Sequence, residues 1–179
     1  MTQTPIRRTT MWALAHPLRL RLFELLATGP ATASQLARKV GESRGSASYH
    51  LRVLARMGAI QEDAELGTKR ERWWRRADES IILLTDPDLE GRAITDRAYS
   101  VFYARENDVR RRFVTGEPTD EWRQNAFVGN WFLELTPEEA DALGRQLFAL
   151  VDEARRRNGV PRDAELALVA VSVLPVLEE

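Results

Sequence analysis

The chain has 179 residues, 44% hydrophobic and 30% charged, which predicts a soluble globular fold of one ordinary domain or two small ones. It has no cysteine and only two histidines, His16 and His50. Those counts exclude disulfides, thiolate metal sites, a cysteine nucleophile and an all-histidine zinc site within one chain. The longest apolar stretch, 166–177, is broken by Ser172 and Pro175 and falls short of the roughly 20 residues of a membrane span.

The N-terminus runs into Arg19 and Arg21 and offers no signal-peptide core, so a cytoplasmic protein with no membrane partner is expected. The net charge of −1 hides an asymmetry. Residues 1–78 hold 14 Lys+Arg against 7 Asp+Glu, a net of +7, whereas residues 79–179 hold 12 against 20, a net of −8. A polyanion is the natural partner of the first region and not of the second.

In chain order, Met11 to Ala15 reads as a short helical piece ending at His16-Pro17, with Pro17 suited to the first position of the next helix. Leu18, Leu22, Leu25 and Leu26 recur at helical spacing until Gly29-Pro30. Thr32 and Gln35 form a capping box that opens a helix over Ala33 to Val40, and Gly41 is a suitable cap for its end. Ser43 caps a helix from Arg44 to Met57 whose inner stripe is Ala47, Leu51 and Leu54. Two short helices joined around Gly41 are a helix-turn-helix pattern. Ala59 to Asp63 and Arg70 to Arg76 flank a turn and read as a hairpin, which makes the pattern a winged helix. Trp73 and Trp74, adjacent on a strand, point to opposite faces, one of them into the core. His16 reads as a helix-start residue and His50 as a packed side chain bonded to local backbone.

The region from 79 onward opens with an apolar run at 80–85 and then a long helix, 88–114. Its apolar stripe includes Leu89, Ile94, Ala98, Val101 and Phe102, and is wider than so small a domain can cover. These five, with Met11 and Trp12, are the candidate homodimer interface. Ala126 to Leu135 reads as a strand, Thr136 and Glu139 as a second capping box before a helix to about Asn158, and Leu166 to Val176 as a final strand. The expected fold is therefore α+β and mostly helical. A winged helix-turn-helix domain (1–78) precedes a dimerisation and effector region (79–179) ending in strand–helix–strand (126–176).

The segments AHPLRLRLFELL (15–26), TASQLARKVGESRGSASYHLRVLARMGAI (32–60) and GTKRERWWRRA (67–77) together resemble the arsenical-resistance-repressor (ArsR) family of winged-helix transcription regulators. That resemblance covers residues 14–77 and implies a DNA-binding repressor. Many such proteins sense metals through cysteine pairs or Asp/His sets. This chain has no cysteine and no histidine beyond His50, so no metal site and no cofactor is expected.

A recognition helix must bring small or hydrogen-bonding side chains into the major groove. Arg44, Gly45, Ser46, Ser48, Tyr49, Arg52 and Arg56 are the candidates on the 44–57 helix, lying off its apolar stripe. Arg44 suits guanine; Arg52 and Arg56 lie further along and suit phosphate. Lys69, Arg70 and Arg72 of the wing can reach the minor groove or the backbone. No carboxylate spacing suggests a general acid and base: Glu138 and Glu139 complement a helix dipole, so no catalytic residue is expected. The expected partners are double-stranded DNA, a second copy of the chain and a small-molecule effector. The competing reading is a winged-helix protein-interaction module that works through its acidic half.

Overall fold

The computed structural model describes residues 8–67, 71–77, 89–156, 161 and 163–177, with side chains omitted for 8–10 and 89–94. The described residues are mostly helical, with one small sheet, and the chain divides into two compact units, Met1–Asp108 and Val109–Glu179.

In the first unit, α1 (Arg8–Leu14) leads to α2 (Pro17–Leu25) through His16, whose ring nitrogen accepts the Leu18 backbone N–H at 3.2 Å. Pro17 fills the first helical position, where a missing N–H costs nothing. A 3-10 turn (Leu26–Thr28) and strand β1 (Ala31–Thr32) follow. Helix α3 (Ala33–Val40) starts with its capping box complete: Gln35 N–H donates to the Thr32 hydroxyl, and Thr32 N–H to the Gln35 side chain. It stops at Gly41, which sits at φ +72, a left-handed conformation that favours glycine. Helix α4 (Arg44–Arg56) is capped by Ser43, whose hydroxyl accepts the Ser46 N–H at 3.1 Å.

Strands β2 (Ile60–Glu62) and β3 (Trp73–Arg76) form the wing, antiparallel, with Glu62 opposite Trp74. The sheet has a third strand that the sequence reading did not include. β1 pairs with β3, Ala31 opposite Trp74, giving the order β1-β3-β2. Two residues are too few to carry an alternation pattern, so the pairing becomes visible only once α3 and the wing are packed. Trp74 is buried and Trp73 half-buried, as adjacent strand positions require.

The core of this unit collects Leu14 from α1, Leu22 and Phe23 from α2, Leu36 from α3, Leu51 and Leu54 from α4, Ile60 and Trp74. The first part of α5 (Leu89–Thr115) lies against α1: Ala98 is fully buried beside Met11 and Ala15, and Phe102 packs against both this cluster and the main core. Arg105 of α5 donates its Nε–H to both Glu24 carboxylate oxygens of α2 at 3.0 and 3.1 Å, and its Nη1 donates to Asp108.

In the second unit, α6 (Asp120–Asn125) is capped by Thr119, and α7 (Pro137–Arg156) begins with the expected Thr136/Glu139 box. The strands expected at 126–135 and 166–176 are not formed. Among the described residues, both segments carry no ladder pairing. A run rich in Phe, Val, Trp and Leu marks a chain fit for a sheet, but a strand exists only with a hydrogen-bonded neighbour. Phe127, Trp131 and Phe132 are accordingly 85%, 72% and 87% exposed. No described helix is long and apolar enough to cross a membrane.

Candidate nucleic-acid interface

Helices α3 and α4 pack on each other across the Gly41 turn, where the Glu42 N–H bonds back to the Ala37 carbonyl at 3.0 Å. This fixes the entry of α4. One side of α4, Ala47, Leu51 and Leu54, is wholly inside the core. The other side carries Arg44, Gly45, Tyr49, Arg52 and Arg56, all exposed, with Ser46 and Ser48 half-buried between them. Positions 45, 49, 52 and 56 recur every three or four residues and so share one face. Helix α4 contains no acidic side chain. Gly45 leaves its end of the helix open, since an added Cβ would meet only the Ser43 hydroxyl at 3.8 Å. Arg52 donates to the Ser48 carbonyl at 3.2 Å, which lays its stem along the helix.

The wing is less purely basic than its sequence. Arg72 is exposed but lies 3.8 Å from Glu62, and Arg75 lies 3.8 Å from Asp63. Lys69 and Arg70 fall outside the described residues, as do the side chains of Leu89 and Ile94.

Two arginines of the basic region are structural. Arg19 is buried, donates to the Ala13 and Trp12 carbonyls and lies over the Trp12 ring at 5.0 Å. Arg76 lies 4.1 Å over the Phe23 ring and donates to the Phe23 carbonyl at 3.0 Å. Arg38 and Lys39 at the end of α3 are both exposed, and the sequence reading passed over them. Their position one turn before the Gly41 cap was the available signal.

The candidate interface residues fall into two environments. Met11 and Ala98 are buried within the protomer, and Phe102 is half-buried against its core. Trp12 is exposed, and half-buried Val101 lines an open groove between α2 and α5 with Pro17, Leu20 and Ala104. Tyr103, which the sequence reading left out, is exposed and stacks on Tyr99 at 5.6 Å.

His50 departs from expectation. Its ring packs on His16, but Nδ1 is buried with no hydrogen-bond partner among the described residues, so the expected bond to local backbone is not made.

Residues 14–62, from the end of α1 through β2, match the family model described as a helix-turn-helix domain. No curated protein matches the chain. Among solved structures, a mutant of ZitR from Lactococcus lactis in apo form is similar at 14% identity, covering 78% of this chain and 83% of that one, with a TM-score of 0.35. The sequence match and the geometry of α3 and α4 agree: the chain carries a helix-turn-helix DNA-binding domain, of the kind used in transcription regulation.

Proposed function

We propose that the chain is a sequence-specific, homodimeric transcriptional repressor of the ArsR-like type, without a Cys/His metal-sensing site. The observation that carries this reading is the acid-free outer face of α4, held by a capped and fully packed helix-turn-helix. Arg44, Gly45, Ser46, Ser48 and Tyr49 enter the major groove. Arg52, Arg56, Arg38 and Lys39 meet phosphate, and Lys69, Arg70 and Arg72 bring the wing to the flanking backbone or minor groove. Residues 1–78 act as the DNA-binding domain and 79–179 as the dimerisation and effector region. Met11, Ala98 and Phe102 hold α5 to α1, which leaves Trp12, Val101 and Tyr103, together with Leu89 and Ile94, to face a second copy. Two recognition helices related by a two-fold axis read half-sites about 34 Å, or 10–11 base pairs, apart.

Selection of bound sites from a random duplex pool, followed by gel shift, tests the reading. An imperfect palindrome with that spacing is the expected result. The exposed apolar side chains of residues 109–177 favour the competing reading, a protein-interaction module. Failure to shift any duplex at low salt would decide for it.

A further inference from the structure

The chain's two histidines are far apart in sequence and meet ring to ring. His50 on α4 lies 4.7 Å from His16 at the start of α2, tilted by 39°, and the Tyr49 ring stands edge-on to His50 at 5.1 Å. Each partner demands a neutral neighbour. His16 Nδ1 accepts the Leu18 N–H, so it carries no proton and its ring holds one on Nε2. A second proton would turn that nitrogen into a donor facing a donor and cancel the cap of α2. His50 Nδ1 is buried with no partner to receive a proton's hydrogen bond.

The surroundings reinforce this. Arg19 of α2 acts on both rings and Arg97 of α5 on His16; the Glu42 carboxylate beside His50 and a backbone hydrogen bond at His16 oppose them, and come after burial and Arg19 in size. Both arginines are held in place, Arg19 by the α1 carbonyls and Arg97 by the Ala15 carbonyl at 3.4 Å. Burial first, and Arg19 second, hold both imidazoles below their ordinary 6.5. The pair is poorly suited to a metal ion, because freeing the His16 Nε2 lone pair would put a proton on Nδ1 and break the cap. No third ligand gathers with the two rings among the described residues.

We infer that the His16–His50 contact is an acid-sensitive joint between the start of α2 and the recognition helix, holding only while both rings are neutral, and that proton uptake loosens α4 and releases DNA. The release rests on the proposed function; the joint does not. With both groups depressed in the folded state, the native protein binds fewer protons than the unfolded chain. Stability is therefore complete above 6.5 and is lost as the pH falls through that value toward the folded pKa values. A basic DNA-binding surface without such a joint gains positive charge in acid and binds more tightly, so the sign is diagnostic.

The test uses the full chain at pH 7.5 and 5.5 and constant ionic strength, with the urea midpoint and fluorescence anisotropy on the selected duplex as readouts. The wild type is expected to lose about tenfold in duplex affinity in acid, with a lower urea midpoint. The double variant His16→Asn, His50→Gln keeps an N-cap acceptor but cannot titrate, and should change less than about twofold. Should the double variant fail to fold, His50→Gln alone should show a reduced acid loss. A wild-type urea midpoint that is flat with pH, or variants that lose as much as the wild type, would overturn the joint. So would NMR titration of either ring at or above 6.5. Wild-type affinity that holds or rises in acid overturns the release. Absence of duplex binding at pH 7.5 would refute the DNA reading instead, with the urea and NMR arms still deciding on the joint.

Discussion

Residues 8–108 and 109–177 both carry abundant large apolar side chains, but they use them differently. Among the described residues, the largest side chains that are completely covered, Leu14, Leu22, Leu36, Leu51, Leu54 and Ile60, all belong to the first unit. Of the large hydrophobics left exposed, Trp12, Tyr49, Leu66 and Tyr103 precede Asp108, while Phe127, Val128, Trp131, Phe132 and Leu133 head a longer series after it. Helix α7 is a well-capped amphipathic helix with no buried residue. An apolar stripe becomes a core only when a second layer faces it. The first unit supplies that layer from its own helices. The second has one long helix and two unpaired apolar segments, and has to find its opposing layer elsewhere. In the proposed dimer a second copy would provide it; in the competing reading a different protein would.

Truncation gives the widest separation between the two. A fragment ending at Asp108 is expected to keep helical circular dichroism and a cooperative urea transition, whereas residues 109–179 alone should show neither, or should self-associate on sedimentation. A cooperative monomeric 109–179 fragment would break the comparison. Single substitutions sharpen it. Leu51→Ala, at a fully buried site, should cost about 2–5 kcal/mol in urea unfolding. Phe132→Ala, 87% exposed, should stay within about 0.5 kcal/mol at dilute protein while weakening self-association.

The same contrast extends to charge. Arg44→Ala should relax base preference at one position by about 1–3 kcal/mol, and Arg72→Ala should weaken all duplexes alike and flatten the salt dependence by about one unit. Arg145→Ala in the second unit, where the side chain pairs with Asp141, should leave duplex affinity unchanged. Smallest of all is the expected response to zinc, arsenite or nickel at micromolar concentrations: no shift in duplex affinity, since the chain has no cysteine.

What could be read from sequence was what neighbouring residues decide. The Thr32/Gln35 and Thr136/Glu139 boxes, the Ser43 cap, the glycine at 41 and the Ala47/Leu51/Leu54 stripe are all local chemistry, and all are formed as expected. What escaped depends on distant partners. β1 exists because Trp73 and Trp74 lie beside it, and the burial of Arg19 depends on carbonyls of the preceding helix. The His16–His50 contact joins helices that sequence spacing cannot bring together. The expected strands at 126–135 and 166–176 show the converse error, in which a correct local pattern lacks the neighbour that would make it a strand.

The Arg76 clamp on Phe23 bears on how binding sites for this protein can evolve. Its guanidinium ties the last residue of β3 to the last turn of α2 by a hydrogen bond and by ring stacking together. The base of the hairpin is thereby tied to the helical scaffold that also seats α4, which sets one spacing between α4 and the start of the wing. Under the proposed function, an operator cannot insert or lose a base pair between the stretch under α4 and the stretch under the wing. Drift in operator sequence is then confined to base identity at fixed spacing. Arg76→Lys, which gives up the flat stacking surface, should let mismatched spacings bind relatively better.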